Sequence, residues 1–386
     1  MKPNRIPTLD GWRAIAIMLV VICHLGECLY ANQADYEASL SRYGAFGVDL
    51  FFGLSGLLIT KLLLEESRAT GTISLGRFYA RRAFRILPAY FAFLIGFTFF
   101  GLWQSGLELL SCLFFFRNYT SDTFAGAGTQ HLWSLSVEEH FYLLWPGLLV
   151  ALGPKRAKEW PARLALGVAL WRMVESQMTT HLFPWAFDRF RTDLRLDALL
   201  WGCAVAFMLD DSEAREKLRK QLPVGGWLVV AAIVLVSIRF FMPLTSVLVA
   251  ALIPFLLAGT VLRPTWLFSR FLELTPVAWL GRVSYSLYLW QAVFLIPAWE
   301  HPVGWWRQWP ANLVLCVLAA AASYYGIEQP FLRMGRRWAA VGSSSILVLD
   351  AALRSEGGVF EPLPSEDAGY AIVPDGADRQ SRQSRP

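Results

Sequence analysis

Apolar runs of about 20 residues recur along most of this 386-residue chain, and a helix of that length crosses the hydrocarbon core of a bilayer. In hydrocarbon every backbone polar group needs a partner within the protein, and a helix supplies them within one segment. The sequence therefore predicts an all-α, polytopic transmembrane helical bundle with about ten spanning helices. The predicted spans are residues 12–31, 46–64, 86–103, 132–152, 162–178, 196–209, 224–241, 244–262, 279–297 and 311–328. Segment 106–116 is too short to cross and is predicted to be re-entrant or interfacial.

Composition agrees with a membrane location and argues against other classes. The chain is 55% hydrophobic and 15% aromatic, which exceeds the usual content of a soluble domain. The net charge of +5 comes from basic residues that lie between apolar segments, so no nucleic-acid partner is expected. The five cysteines show no paired spacing, and neither a disulfide framework nor a metal site is predicted.

Basic residues between the spans predict the orientation in the cell membrane. Clusters at 77–85 and 155–163 are expected to face the cytoplasm, which places the N- and C-termini there as well. The first apolar run lacks a small-residue cleavage site, so it is interpreted as a span and not as a signal peptide. Residues 1–338 are predicted to form the transmembrane domain, and the polar segment 339–386 a disordered cytoplasmic tail.

The first span contains two residues that are costly in hydrocarbon, Arg13 and His24. They are eleven residues apart, about three helical turns, so they share one helix face at an axial separation of about 16 Å. Because the helix enters from the cytoplasm, Arg13 is expected near the inner interface and His24 in the outer half of the bilayer.

The fourth span, "HLWSLSVEEHFYLLWP", carries Glu138 and Glu139 at a predicted depth close to that of His24. Adjacent residues point about 100° apart, so at most one carboxylate is expected to face a shared cavity. An imidazole beside a carboxylate forms a general base with its orienting group. A buried polar pair that holds two helices together is the equally weighted alternative.

At the inner end of the third span, "FYARRAFRILPAYF" places Arg82 and Arg85 three residues apart and on roughly one face. Guanidinium groups at this spacing suit phosphate oxygens. An anchor that contacts lipid headgroups is the alternative explanation.

Six stretches together resemble the successive signatures of the acyltransferase 3 family. They are "LDGWRAIAIMLVVICH", "GVDLFFGLSGLLIT", "FYARRAFRILPAYF", "HLWSLSVEEHFYLLWP", "LGRVSYSLYLWQ" and "IEQPFLR", and they occur in order over about residues 8–335. The resemblance implies an integral membrane O-acyltransferase that moves an acyl group, often acetyl, from cytoplasmic acyl-CoA to a hydroxyl of a carbohydrate or glycolipid acceptor. No permanently bound cofactor is expected, since acyl-CoA is a substrate.

The family motifs coincide with the residues that the helical pattern had singled out. The resemblance implies that Arg13, Arg82 and Arg85 hold the CoA phosphates. It also implies that His24 acts as the general base and that Glu138 orients it. Direct attack by the acceptor and transfer through an acyl-histidine intermediate both remain open.

Two positions depart from the family pattern. His140 stands where a glutamine is usual, and a packing role is predicted for it; Gln291 stands where a histidine is usual, which leaves any acceptor-side role of that position in doubt. The alternative function is a transporter or exporter of acylated sugars or lipids, because polar residues on several spans are also typical of a permeation path. A degenerate, regulatory relative is disfavoured by the presence of both His24 and Glu138.

Overall fold

The computed structural model of the protein describes residues 6–29, 34–120, 125–181, 190–239, 243–295 and 304–338. Over these residues the regular structure is helical, with no strand, which confirms the all-α fold class. The α-helices are α1 (Pro7–Leu29), α2 (Ala34–Thr70), α3 (Leu75–Phe99), α4 (Gly106–Leu113), α5 (Ala127–Gln130), α6 (Leu132–Ala157), α7 (Trp160–His181), α8 (Thr192–Asp210), α9 (Ser212–Gln221), α10 (Val224–Arg239), α11 (Pro243–Leu262), α12 (Leu267–Leu272), α13 (Thr275–Phe294) and α14 (Ala311–Ser323). A π-helical turn, Tyr324–Glu328, follows α14, and the helix continues to Trp338.

Each predicted span coincides largely with one helix, but the count of about ten membrane crossings is not confirmed. Five described helices are long and apolar enough to cross a bilayer, and the α9–α10 pair, bent by 78°, would be a sixth. The five are Pro7–Leu29, Arg42–Thr70, Leu75–Phe99, Leu244–Leu262 and Ala311–Trp338. Other helices are less apolar because they carry internal charges, such as Glu138 and Glu139 in α6 or Arg195 and Asp197 in α8.

The short segment after α3 forms α4, which has eight residues. At 1.5 Å per residue this helix is about 12 Å long, so it is too short to cross the hydrocarbon core. Large apolar side chains elsewhere are exposed on the outer surface of the helices, among them Leu228, Leu235 and Leu244. A surface of this kind is stable in lipid and costly in water. The apolar helices and their exposed side chains indicate a multi-pass membrane protein.

Helices α1, α2 and α8 lie at the centre of the bundle, since α2 packs against both α1 and α8 and α1 also packs against α13. Gly56 and Gly202 allow the close crossing of α2 and α8, because a Cβ on Gly56 would collide with the Leu199 backbone. The buried pair Asp49–Arg195, with an oxygen-to-nitrogen distance of 2.6 Å, joins the same two helices. These contacts fix the rotation of α2, which carries site residues described below.

The described residues up to Arg337 form one compact unit. The predicted disordered tail, 339–386, lies outside the described residues, so the boundary at 338 stays a prediction.

Candidate active site

Four of the five predicted site residues line one cavity of about 90 Å³, here called the arginine cavity. Arg13 comes from α1, Arg82 and Arg85 from α3, and Glu138 from α6. Polar or aromatic side chains complete much of the wall, namely Ser55, Ser134, Tyr142, Ser284, Tyr285 and Tyr288. Residues from five helices therefore meet at this point, and Glu138 lies with the arginines and not in the cavity of His24.

The local sequence of α3 divides its arginines into two groups. Ser74 caps the helix by accepting a hydrogen bond from the Arg77 N–H, and the helical register then turns Arg77 and Arg81 toward Glu66. Arg82 and Arg85 line the cavity instead. Hence Arg77 and Arg81 share the carboxylate of Glu66 as a salt-bridge partner, whereas Arg82 and Arg85 contribute positive charge to the cavity.

Among the side chains that line the arginine cavity, positive charges outnumber negative ones. Arg13 lies 3.6 Å from Asp10, and the Arg82 guanidinium stacks over the Tyr142 ring at 4.6 Å. Three guanidinium groups face a cavity whose lining includes one carboxylate, that of Glu138. Such a site suits an anionic group with several acceptor oxygens, such as a phosphate.

Glu138 belongs to a hydrogen-bond chain that the motif analysis did not include. The Tyr142 hydroxyl donates to Ser55 Oγ at 3.0 Å, and the Ser55 hydroxyl donates to Glu138 Oε1 at 2.6 Å. The sequence does indicate Tyr142 as a neighbour of Glu138, because it is four residues later and so lies on the same helix face. Ser55 lies on α2, and its approach to Glu138 depends on how the two helices are rotated.

His24 lies in a second, larger cavity, and its ring is held by its own helix. Its Nδ1 atom is 3.0 Å from the Val20 carbonyl oxygen. Val20 lies about two helical turns after Arg13 on α1. A carbonyl only accepts, so Nδ1 carries the hydrogen in this contact and Nε2 of the neutral ring keeps a lone pair. The Val20 carbonyl therefore fixes the tautomer in this structure, while the hydrogen bond of Glu138 goes to Ser55.

The larger cavity, here called the histidine cavity, has a volume of about 470 Å³, within the range of small-molecule sites. Its wall combines charged groups with an aromatic face. The charged side chains are Glu27, Arg42, Arg172, Glu175 and Arg195, and Trp133 stacks on Phe190 with ring centroids 4.5 Å apart. Tyr288 lines both cavities, so the two adjoin at this residue.

The two departures from the family pattern lie in different surroundings. His140 Nδ1 is 2.7 Å from Thr192 Oγ1, and this contact joins α6 to α8 in agreement with the predicted packing role. Gln291 is 1% exposed, and its side-chain amide has no hydrogen-bond partner within the described part of the chain.

Comparisons with known proteins agree with the motif analysis. The acyltransferase domain model matches residues 6–328. A putative O-acetyltransferase of Staphylococcus aureus strain COL is 29% identical over 373 residues, and O-acetyltransferase OatA of strain NCTC 8325 is 29% identical over 366 residues. Each match covers 86% of this chain and 58% of the relative, so the chain spans less than two thirds of the length of these relatives. No solved structure gives a significant match. The family match covers most of the sequence and both cavity walls, and the chain therefore belongs to the acyltransferase 3 family.

Proposed function

We propose that the protein is a membrane O-acyltransferase that transfers an acyl group, with acetyl as the expected case, from acyl-CoA to a hydroxyl group of a carbohydrate or glycolipid. The observation that carries this proposal is the pair of adjoining cavities. One presents three arginines, and the other contains a histidine with a lone pair on Nε2. The O-acetyltransferase names of the relatives support the choice of reaction.

On the donor side, the arginine cavity is assigned to the phosphate-bearing part of acyl-CoA. Paired N–H donors of a guanidinium match phosphate oxygens, and Arg13, Arg82 and Arg85 supply three such groups. The cavity itself is small, about 90 Å³, so it would hold one phosphate region and the adjoining arm while the rest of CoA extends out of it. The basic inner ends of the spans favour entry of the donor from the cytoplasm, with the protein in the cell membrane and both termini on that side.

On the acceptor side, the histidine cavity is assigned to the hydroxyl-bearing substrate. Its aromatic wall at Trp133 suits the apolar face of a sugar ring, and its charged groups suit hydroxyl groups. His24 Nε2 then removes the hydroxyl proton as the acceptor oxygen attacks the thioester carbonyl carbon. In this scheme Glu138 acts in the donor cavity, where it balances the arginines, and its influence on His24 is electrostatic.

A transfer assay with matched histidine variants tests the proposal. The full chain is reconstituted in nanodiscs with acetyl-CoA labelled in the acetyl group and with a panel of glycans and glycolipids. Wild type is expected to move label into an acceptor, and His24→Gln to lower kcat by about 10²- to 10⁴-fold, the usual contribution of a general base.

His140→Gln is the control, because it makes the same chemical change on a histidine that contacts Thr192 and lies outside both cavity walls. It is expected to retain transfer. Equal transfer by wild type and His24→Gln would remove His24 from the mechanism. Movement of acylated sugars across the bilayer without label transfer would favour the transporter instead.

A further inference from the structure

His131, just before α6, has a buried imidazole with no role in the mechanism proposed above. The residue is 4% exposed, and neither ring nitrogen has a hydrogen-bond partner among the residues that the structure describes. Its backbone is well bonded, since its carbonyl accepts from the Tyr288 hydroxyl at 2.5 Å. Buried polar groups in proteins are hydrogen-bonded with few exceptions, and an exception beside a cavity is a reason to look for a ligand.

The position of His131 is the junction between the two cavities. His131, Ser134 and Glu138 are separated by three and then four residues, so they form a stripe along one face at the start of α6. Ser134 and Glu138 line the arginine cavity, and His131 lines the histidine cavity.

Tyr288 lies between the residues of the two cavity walls and contacts both. Its hydroxyl lies 2.6 Å from Ser134 Oγ, its ring centroid lies 5.2 Å from that of His131, and it lines both cavities. His131 and His24 also line the same cavity. An acyl group that passes from the arginines to the acceptor therefore passes His131.

The surroundings favour a neutral imidazole that donates a hydrogen bond. Phe93 packs edge-on against the ring at 5.7 Å between centroids, and Tyr288 covers another side. A charged ring would lose its hydration in such a place, whereas a neutral ring carries one N–H donor. A fixed donor in a dry site stabilises negative charge that develops during a reaction more strongly than water does.

On the basis of the proposed function, we infer that His131 is a catalytic residue whose ring N–H donates to the thioester carbonyl oxygen. As the acceptor oxygen bonds to the carbonyl carbon, its proton goes to His24 Nε2 and the carbonyl π electrons move to the oxygen. His131 stabilises that oxyanion. The carbonyl then re-forms, the carbon–sulfur bond breaks, and the CoA thiolate takes the proton back from His24.

The kinetic test compares two substitutions of similar size that differ in the ability to donate. His131→Leu is expected to lower kcat by about 10²- to 10³-fold, the range found when one oxyanion donor is removed, with the KM for acetyl-CoA unchanged. His131→Asn retains an N–H donor and is expected to recover at least about tenfold of that loss. A kcat of His131→Leu equal to wild type, or equal losses in both variants, would overturn the inference.

A spectroscopic test requires neither turnover nor an acceptor. Acetonyl-CoA, which has a methylene group inserted between the CoA sulfur and a ¹³C-labelled ketone carbonyl, is bound to the full chain, and its carbonyl stretch is recorded by difference infrared spectroscopy. A hydrogen bond from His131 lowers the stretching frequency in wild type, and the His131→Leu variant is expected to abolish this shift. The same band in both proteins would overturn the inference.

The two tests separate failure of this inference from failure of the proposed function. Transfer by wild type together with unchanged kcat in His131→Leu removes only the role of His131. Absence of both label transfer and acetonyl-CoA binding in wild type rejects acyl-CoA as the donor, and the role of His131 with it.

Discussion

Two groups of buried acidic and basic side chains in this protein differ in how their charges are satisfied. In the loop region around α4, Glu108 is 0% exposed and Arg117 is 3% exposed. Glu108 accepts from the backbone N–H groups of Gln104 and Gly126, at 2.8 and 3.1 Å, and from the Thr129 hydroxyl. Arg117 donates to Thr129 Oγ1 at 3.1 Å and to backbone carbonyls at 2.9 and 3.3 Å. Protein groups therefore surround both charges in this loop network.

The arginine cavity is built from the same residue types, but its guanidinium groups face an open cavity as well as protein groups. Arg13, Arg82 and Arg85 converge on a cavity, and the carboxylate of Glu138 is bonded to a serine hydroxyl. Buried charges are costly unless they are paired, so a cavity with excess positive charge is stable as a site for an anion. Residue type and burial are therefore similar in the two groups. What distinguishes the binding site from the structural network is whether protein groups alone surround the charged side chains.

The largest expected effect is on stability and belongs to the loop network. Glu108→Gln keeps the side-chain shape but removes a buried charge that is linked to Arg117 through Thr129, and it places an amide where three donors converge. Removal of one charge from a buried acid–base network costs about 3–5 kcal/mol, so the free energy of unfolding, measured by SDS titration in mixed micelles, should fall by about that amount.

Glu159→Gln is the matched control, because Glu159 is 56% exposed and pairs with Arg163 on the protein surface. Its effect should stay below about 1 kcal/mol. If Glu108→Gln instead weakened acyl-CoA binding and left the unfolding free energy unchanged, the loop network would be functional and the comparison would fail.

A smaller effect, on donor binding, is expected in the arginine cavity. Arg85→Leu removes charge-assisted hydrogen bonds worth about 1.5–3 kcal/mol, so the KM for acyl-CoA should rise by about 10- to 150-fold. Leu removes the repulsion of Arg85 from Arg13 and Arg82 as well as its attraction to nearby carboxylates, so the unfolding free energy should change less than in Glu108→Gln. Steady-state kinetics and SDS titration on one preparation measure both quantities.

Arg81→Leu is the control for this change, since Arg81 lies on the same helix and pairs with Glu66 outside the cavity. The KM of this variant for acyl-CoA should stay within about twofold of wild type, because the Arg81 side chain is 42% exposed and an exposed salt bridge contributes little. Equal increases in KM for the two variants would mean that the general positive charge of α3, and not the cavity, attracts the donor.

Helical spacing predicted that Arg82 and Arg85 share one helix face, because both lie on a regular helix, but it placed Glu138 beside His24 and not beside the arginines. The three-residue interval of Arg82 and Arg85 and the single carboxylate position at Glu138 follow from helix geometry and the family motifs. The loop network depends on turns that bring Arg117 and Glu108 to the same Thr129 hydroxyl, and no periodic pattern in the sequence predicts those turns. The proposed contact of Glu138 with His24 depended on the rotation of α6 relative to α1, which depth along the helices does not determine.

The smallest expected effect concerns the chain from Tyr142 through Ser55 to Glu138. Ser55→Ala removes one hydrogen bond to the Glu138 carboxylate, which the arginines still balance, so the loss should be about 1 kcal/mol and should lower kcat/KM by about fivefold. Ser136→Ala is the control, because the Ser136 hydroxyl donates to the Leu132 carbonyl of its own helix.

Tyr142→Phe and the double variant with Ser55→Ala complete a thermodynamic cycle. Since Tyr142 acts on Glu138 through Ser55, its loss should have less effect once Ser55 is gone. Additive losses would show that the two hydroxyls act separately, and Glu138 would then be positioned by the arginines of its cavity.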